Sequence, residues 1–184
     1  IDKEGNAVAV TTTLNNSYGS RTVVGGAGFF MNDEMDDFSI KPGVPNMYGA
    51  VGGEANAIKA GKRMLSSMTP TLVLKDGKPY IVVGTPGGTT IPTQVFQTLV
   101  NILEFNMSTE DAVYKPKFHH QWLPDEVMIE KGFPVAVKEA MQKMGYNFSR
   151  ERGGIGRTEC IRVLPNGKFE AVADIRGDDA AEGY

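Results

Sequence analysis

Two turn dipeptides constrain this chain more than any other feature. Asp76-Gly77 separates the apolar runs 72–74 and 80–83, and Asn166-Gly167 separates 163–165 from 169–172. Asx-Gly tolerates the positive φ that a tight hairpin loop needs, so each pair of runs reads as an antiparallel hairpin. Between the hairpins the apolar period changes. Ile91, Val95, Leu99, Ile102 and Leu103 share one helical face, and Val135, Val137, Ala140, Met141 and Met144 mark a shorter helix that stops at Gly145. A third, weaker helix is predicted from Ser108, with Glu110 and Asp111 in its first turn, and ends before Pro116. Upstream, β-branched 7–14 predicts a strand. Residues 21–31 predict another, broken at Gly25 and Gly26 by a bulge or bend. Strands, then helices, then strands again is the order of an α+β chain with mixed sheets, not of a βαβ repeat.

Size agrees with one domain over 1–184. A chain of 184 residues and 19.9 kDa buries about 70% of its extended surface on folding. Hydrophobic residues are 41% and charged residues 22%, which argues against disorder. No apolar run approaches membrane-spanning length. The formal charge of −3 gives no basic groove for nucleic acid and no anchor for an anionic membrane. Cys160 is the only cysteine, so no intrachain disulfide is possible, and two histidines are too few for a three-histidine zinc site. Ile1 stands where an initiator methionine would, which fits a processed or truncated product.

Four segments carry groups that do chemistry, each with a plainer reading beside it. Residues 32–38 (NDEMDDF) hold four carboxylates in five positions, either a solvated acidic turn or a site for a substrate ammonium. The alternating ligands and central glycine of a calcium loop are missing. Ser66-Ser67, just before a strand, offers two hydroxyls to a carboxylate or phosphate, or simply makes a turn. Residues 84–92 (GTPGGTTIP) join a strand to a helix through two consecutive glycines, whose N–H groups suit an anion or a developing oxyanion. This is not a P-loop, since the Gly-Lys-Ser/Thr ending is absent. His119-His120 lacks a carboxylate or cysteine at a diagnostic spacing, and strand neighbours face opposite ways. A structural role is favoured there. Residues 42–53 (PGVPNMYGAVGG), with two prolines and four glycines, predict a mobile loop or a surface excursion.

In order and spacing, GNAVAVTTTLNNSYG, NDEMDDFS, KPGVPN, LSSMTPTLVLKDGK, GTPGG and FHHQWLPDE closely resemble the small subunit of γ-glutamyltransferase (γ-glutamyltranspeptidase) along nearly the whole chain. That family belongs to the N-terminal nucleophile hydrolases. The resemblance implies a four-layer αββα sandwich and a self-cleaving precursor whose small subunit begins with a catalytic threonine. The threonine hydroxyl attacks the γ-glutamyl amide of a donor such as glutathione. Its own α-amine, with a pKa near ~8, acts as base. The resulting ester passes the γ-glutamyl group to an amino acid, a peptide or water.

By the same resemblance, Thr13 hydrogen-bonds the nucleophile, and Asn15, Glu34 and Asp37 hold the donor's α-amino group. Ser66 and Ser67 bind its α-carboxylate, Gly87 and Gly88 form the oxyanion hole, and residues 42–53 form a lid with Tyr48 as its gating aromatic. The nucleophile corresponds to a position a few residues before Ile1. Thr11, Thr12 and Thr13 cannot replace it, because none has a free α-amine. The partner implied is the large subunit of the same precursor, which supplies an arginine. No metal or organic cofactor is implied. Asp174-Ile175-Arg176 departs from the family's Asp-Pro-Arg, with little expected effect on chemistry. Bacterial relatives are periplasmic or secreted, which sets the expected location. The alternatives are a glutaryl or cephalosporin-type acylase of the same superfamily, a non-catalytic amino-acid-binding relative, and simple anion binding at Gly87-Gly88.

Overall fold

The computed structural model describes residues 1–149 and 151–183. Where the sequence reading drew one domain, contacts group the chain into two compact units, residues 12–67 and residues 1–11 with 68–184.

The larger unit is built on a four-stranded antiparallel sheet in the order β1-β2-β5-β6, with β1 Thr71–Lys75, β2 Lys78–Gly84, β5 Glu159–Val163 and β6 Phe169–Val172. Both expected hairpins are present. Asp76 (φ 52°) and Gly77 (φ 76°) fill the two central positions of the β1–β2 turn, both left-handed, as the right-handed twist of the strands demands. The β5–β6 loop is longer by one residue, since Leu164 N donates to Lys168 O; Gly167 (φ 78°) takes its left-handed position. A two-stranded sheet pairs β3 Phe118–His119 with β4 Met128–Ile129.

Helices α1 Ile91–Leu103, α2 Thr109–Tyr114 and α3 Val135–Lys143 match the three predicted. Pro92 lies in the first turn of α1, where its missing N–H costs nothing. Ser108 caps α2 by accepting from Asp111 N. The core is where α1 and α2 meet the sheet: Ile81, Val83, Val95, Ile102, Ala112, Val113 and Cys160 are buried together. No residue of α3 is buried, so its predicted apolar face is formed but uncovered.

A buried ionic cluster ties the chain's last segment to this unit. Arg176 donates to both oxygens of Glu130 at 2.7 Å and to Asp174 Oδ1 at 2.8 Å. Glu130 also accepts from Lys117 N and Ile155 N, and Asp174 accepts from Thr158 N. Removing one partner would strand a buried charge, a change that costs about 3–5 kcal/mol. Ile175, between Asp174 and Arg176, is 69% exposed. The departure at this tripeptide therefore leaves both charged neighbours in place.

Two strand expectations fail. Residues 7–14 form no strand: Val8 and Val10 are 70% and 73% exposed, and Leu14 O, which accepts from Asp33 N at 3.1 Å, makes the one backbone bond from the segment to a distant neighbour among the described residues. β-Branched composition favours an extended backbone, but a strand exists only when a partner takes its N–H and C=O groups. Residues 21–31 are a tight reversal instead of a bulged strand. Val23 bridges Phe30, Val24 N donates to Phe29 O, and Gly26 (φ 81°) and Gly28 (φ 74°) make the turn.

The smaller unit has almost no regular structure. It contains two short 3₁₀ turns, Glu34–Asp37 and Glu54–Asn56, with isolated bridges Ser39↔Ala57 and Pro45↔Val51.

Candidate active site

In the smaller unit, side chains do the work that secondary structure does elsewhere. Asn15 adopts φ 73°, a left-handed conformation that asparagine tolerates better than most residues. Thr13 Oγ1 accepts from Asn15 N at 2.8 Å and so holds this bend. Asn15 Nδ2 then donates to Asp33 O at 3.2 Å, while Asp33 Oδ1 accepts from Asn16 N. The 12–16 segment is thereby fixed against the acidic turn, and three predicted residues (Thr13, Asn15 and Glu34) belong to one connected structure.

The 3₁₀ turn Glu34–Asp37 places Glu34 and Asp37 side by side. Burial raises the Glu34 carboxyl above its ordinary value. The Asp37 charge and a hydrogen bond from Glu34 to Asp37 add to this. Asp37 is also raised, by burial first; the hydrogen bond from Glu34 opposes the shift, and the charges of Asp36 and Asp33 reinforce it. Two close carboxyls whose ionised forms are disfavoured suit a cation, because an ammonium would relieve their repulsion.

The segment 42–53 is folded as a hairpin. Gly43 N donates to Gly52 O and Asn46 N to Ala50 O. Asn46 Oδ1 accepts from Tyr48 N and Ala50 N, which closes the tip. Its base is set at Gly52, where a Cβ would lie 2.1 Å from Ser39 Oγ. Two bonds anchor the tip to the acidic turn, Met47 N to Asp36 Oδ2 at 3.2 Å and Asn46 Nδ2 to Asp36 O at 3.4 Å. Tyr48 Oη donates to Asn15 O at 2.7 Å. Burial raises the Tyr48 hydroxyl, with the nearby carboxylates adding to the shift. Asn46 and Asp36 were missed in the sequence, although an Asx after proline in a Gly-rich stretch is a turn signal that points to Asn46.

Ser66 and Ser67 lie on irregular chain at the end of this unit, with Ser66 exposed and Ser67 half-buried. Leu65 N donates to Asn56 Oδ1, which fixes the approach to them.

In the larger unit, Gly87 and Gly88 make the turn between β2 and α1. Gly87 has φ 145° and Gly88 φ 58°. A Cβ on Gly87 would lie 2.5 Å from Thr90 Oγ1 and 2.6 Å from Gln94 Nε2, so only glycine fits. Thr90 donates twice to Gly87 O, from N at 3.1 Å and from Oγ1 at 2.8 Å. Neither Gly87 N nor Gly88 N has an acceptor among the described residues.

The histidine pair divides as expected. His119 is buried, with Nδ1 2.8 Å from Thr93 Oγ1 and Nε2 2.9 Å from Gln121 Oε1, and burial pulls it below its ordinary value. His120 faces Asp125 at 3.1 Å. Both act as structural ties in this conformation.

A family model described as Gamma-glutamyltranspeptidase matches residues 1–184. The chain belongs to the γ-glutamyltranspeptidase family. The glutathione hydrolase proenzyme of Escherichia coli (strain K12) is 48% identical over 185 residues, which is 100% of this chain and 32% of the proenzyme. The chain thus spans about a third of the length of the curated relatives it matches. A mutant of Helicobacter pylori gamma-glutamyltranspeptidase overlays with a TM-score of 0.92 at 53% identity, over 96% of this chain and 97% of that one. Cephalosporin acylase from Bacillus halodurans is more distant, with a TM-score of 0.74 at 27% identity over 90% of this chain and 30% of that one. The fold is therefore the α+β fold of the γ-glutamyltranspeptidases, of the N-terminal nucleophile hydrolase type.

Proposed function

We propose that this chain is the small-subunit part of a γ-glutamyltransferase and hydrolase acting on γ-glutamyl amides such as glutathione. The observation that carries the reading is the Glu34–Asp37 pair, partly desolvated and raised in pKa, in a chain of this family. A donor α-ammonium supplies the positive charge that this turn lacks. Asn15 contributes to the same contact, Ser66 and Ser67 take the α-carboxylate, and Tyr48 closes the lid formed by 42–53 through its bond to Asn15.

The chemistry proceeds from a threonine hydroxyl in the part of the protein that this chain does not span. Thr13 orients that hydroxyl, and the threonine α-amine takes its proton as the oxygen bonds to the γ-carbonyl carbon. The carbonyl oxygen becomes an oxyanion, stabilised by the N–H groups of Gly87 and Gly88. Collapse breaks the C–N bond, and the departing amine takes the proton back. An acceptor amine or water then attacks the γ-glutamyl ester and releases the threonine.

The partner is the large subunit of the same precursor. Two facts support this: related proenzymes are about three times as long as this chain, while the similar Helicobacter pylori chain has nearly this chain's length. Exposed apolar side chains such as Phe96 and Phe105 fit a chain with a neighbour. We place the protein in the periplasm or outside the cell, which cell fractionation checks directly.

The test uses the whole protein with two anilides, one γ-glutamyl and one glutaryl. Faster turnover of the γ-glutamyl anilide is expected, and faster turnover of the glutaryl anilide would assign an acylase instead. The N-terminal sequence of the small chain gives a second check, with threonine the expected first residue.

A further inference from the structure

Gln94, on the first turns of α1, is fully buried. A buried carboxamide needs several partners, and this one has them. Its Oε1 accepts from Thr85 Oγ1 at 2.9 Å. Its Nε2 donates to Thr90 Oγ1 at 2.6 Å and to Pro86 O at 3.5 Å. Gly156 presses on the amide from the other side, where a Cβ would lie 1.8 Å from Oε1. The carboxamide therefore has no room to turn.

Each of these bonds bears on the glycine turn. Thr90 Oγ1, which accepts from Gln94 Nε2, itself donates to Gly87 O at 2.8 Å. Pro86 O accepts from Gln94 Nε2, and the one Thr85 hydroxyl proton has two acceptors at 2.9 Å, Pro86 O and Gln94 Oε1. In a trans peptide the C=O and the following N–H point in opposite directions. Holding Pro86 O and Gly87 O from the Gln94 side thus aims Gly87 N–H and Gly88 N–H the other way. A donor pair fixed before the reaction costs no reorganisation when charge develops.

We propose that Gln94 is the positioning residue for the Gly87-Gly88 oxyanion donors, acting through Thr90 and Pro86. This rests on the oxyanion role given to those glycines above.

The test compares Gln94→Leu, Thr90→Val and Thr90→Ser in the whole protein, with Gly88→Val as reference. Circular dichroism and thermal melting establish folding. Gln94→Leu and Thr90→Val should each lower kcat about tenfold or more, with KM held within about twofold. Thr90→Ser keeps the hydroxyl and should keep the rate. The ester carbonyl of the γ-glutamyl-enzyme, followed by isotope-edited infrared difference spectroscopy, should move to higher frequency in the first two variants as its hydrogen bonds weaken. A purely structural role would lower the melting temperature and leave that band in place.

A folded Gln94→Leu protein with wild-type kcat and carbonyl band, beside a Gly88→Val protein that has lost kcat, overturns the positioning role and leaves the oxyanion reading intact. A folded Gly88→Val protein with full kcat overturns the oxyanion reading itself, and this proposal with it. If Gln94→Leu does not fold, the Thr90 pair decides: equal rates for Thr90→Val and Thr90→Ser would sink the proposal.

Discussion

The candidate residues of the two compact units are held by opposite means. The glycine turn of Gly87 and Gly88 hangs between a central strand and the longest helix, with fully buried Gln94 against it. The acidic turn and its lid have no strand or long helix under them. They are held by side chains bonding to backbone: Thr13 to Asn15, Asn15 to Asp33, Asn46 to its own hairpin, and Asp36 to Met47. Buried elements fix geometry closely, while a web of half-exposed hydrogen bonds opens at lower cost. The first arrangement suits a group that meets a short-lived charge, and the second suits a pocket that must admit and release a substrate.

The largest effect should come from the rigid half. In the whole protein Gly87→Ala puts a methyl where Thr90 Oγ1 and Gln94 Nε2 now lie, at a φ of 145° that alanine does not adopt. Loss of one oxyanion donor lowers kcat by about 100-fold or more, and KM should change little. A raised KM with unchanged kcat would move Gly87 into substrate binding and dissolve the contrast.

Asp37→Asn comes next, and its signature is selective. It would remove the proposed charge-assisted contact to the donor ammonium, worth about 1.5–3 kcal/mol, or roughly ten- to a hundredfold in kcat/KM. The loss should fall on γ-glutamyl donors and spare glutaryl ones, and equal losses would remove the ammonium contact. The pH dependence has a fixed sign. The Glu34 and Asp37 carboxyls are raised above their ordinary values, by burial first, and a bound ammonium favours their ionised forms. Donor binding should therefore weaken as pH falls into the range where these carboxyls take up protons, and within that range it should release protons. Calorimetry in two buffers of different ionisation enthalpy measures the release directly.

The two halves also differed in how far they could be read from sequence. Asp76-Gly77, Asn166-Gly167 and the 91–103 periodicity are local signals, and each produced the element it predicted. The 7–14 segment failed because a strand depends on a distant partner that composition does not reveal. Glycines and prolines marked 42–53 as unusual, but the bonds from Asn46 and to Asp36 that order it appear only in three dimensions. Gln94 gave no sequence signal, since its importance comes from Thr85, Thr90 and Gly156 converging on it.

A smaller change probes the adjustable half. Tyr48→Phe deletes the hydroxyl that donates to Asn15 O at 2.7 Å. One such bond is worth about 1 kcal/mol, so KM should rise several-fold while kcat changes less. Faster limited proteolysis within 42–53 would show that the hairpin has loosened. If KM stays constant and kcat falls, Tyr48 acts on chemistry, and the lid is not the adjustable element it is taken to be.

The smallest effect on activity should come from His119, which supports the rigid half without joining the chemistry. It is buried, bonded to Thr93 of α1 and to Gln121, and pulled below the ordinary histidine value first by burial. A histidine whose folded pKa is depressed contributes stability above its unfolded pKa of about 6.5 and loses it as pH falls through the lower folded value. His119→Gln keeps a hydrogen-bonding group but cannot take a proton. Its melting temperature should drop modestly at pH 8 and fall less steeply than the wild type's between pH 7 and pH 5. At pH 8 kcat should remain within about twofold, as for a group outside the reaction. A large loss of kcat in the folded variant would make the histidine more than a structural tie, because a support can be replaced by another neutral donor and a proton carrier cannot.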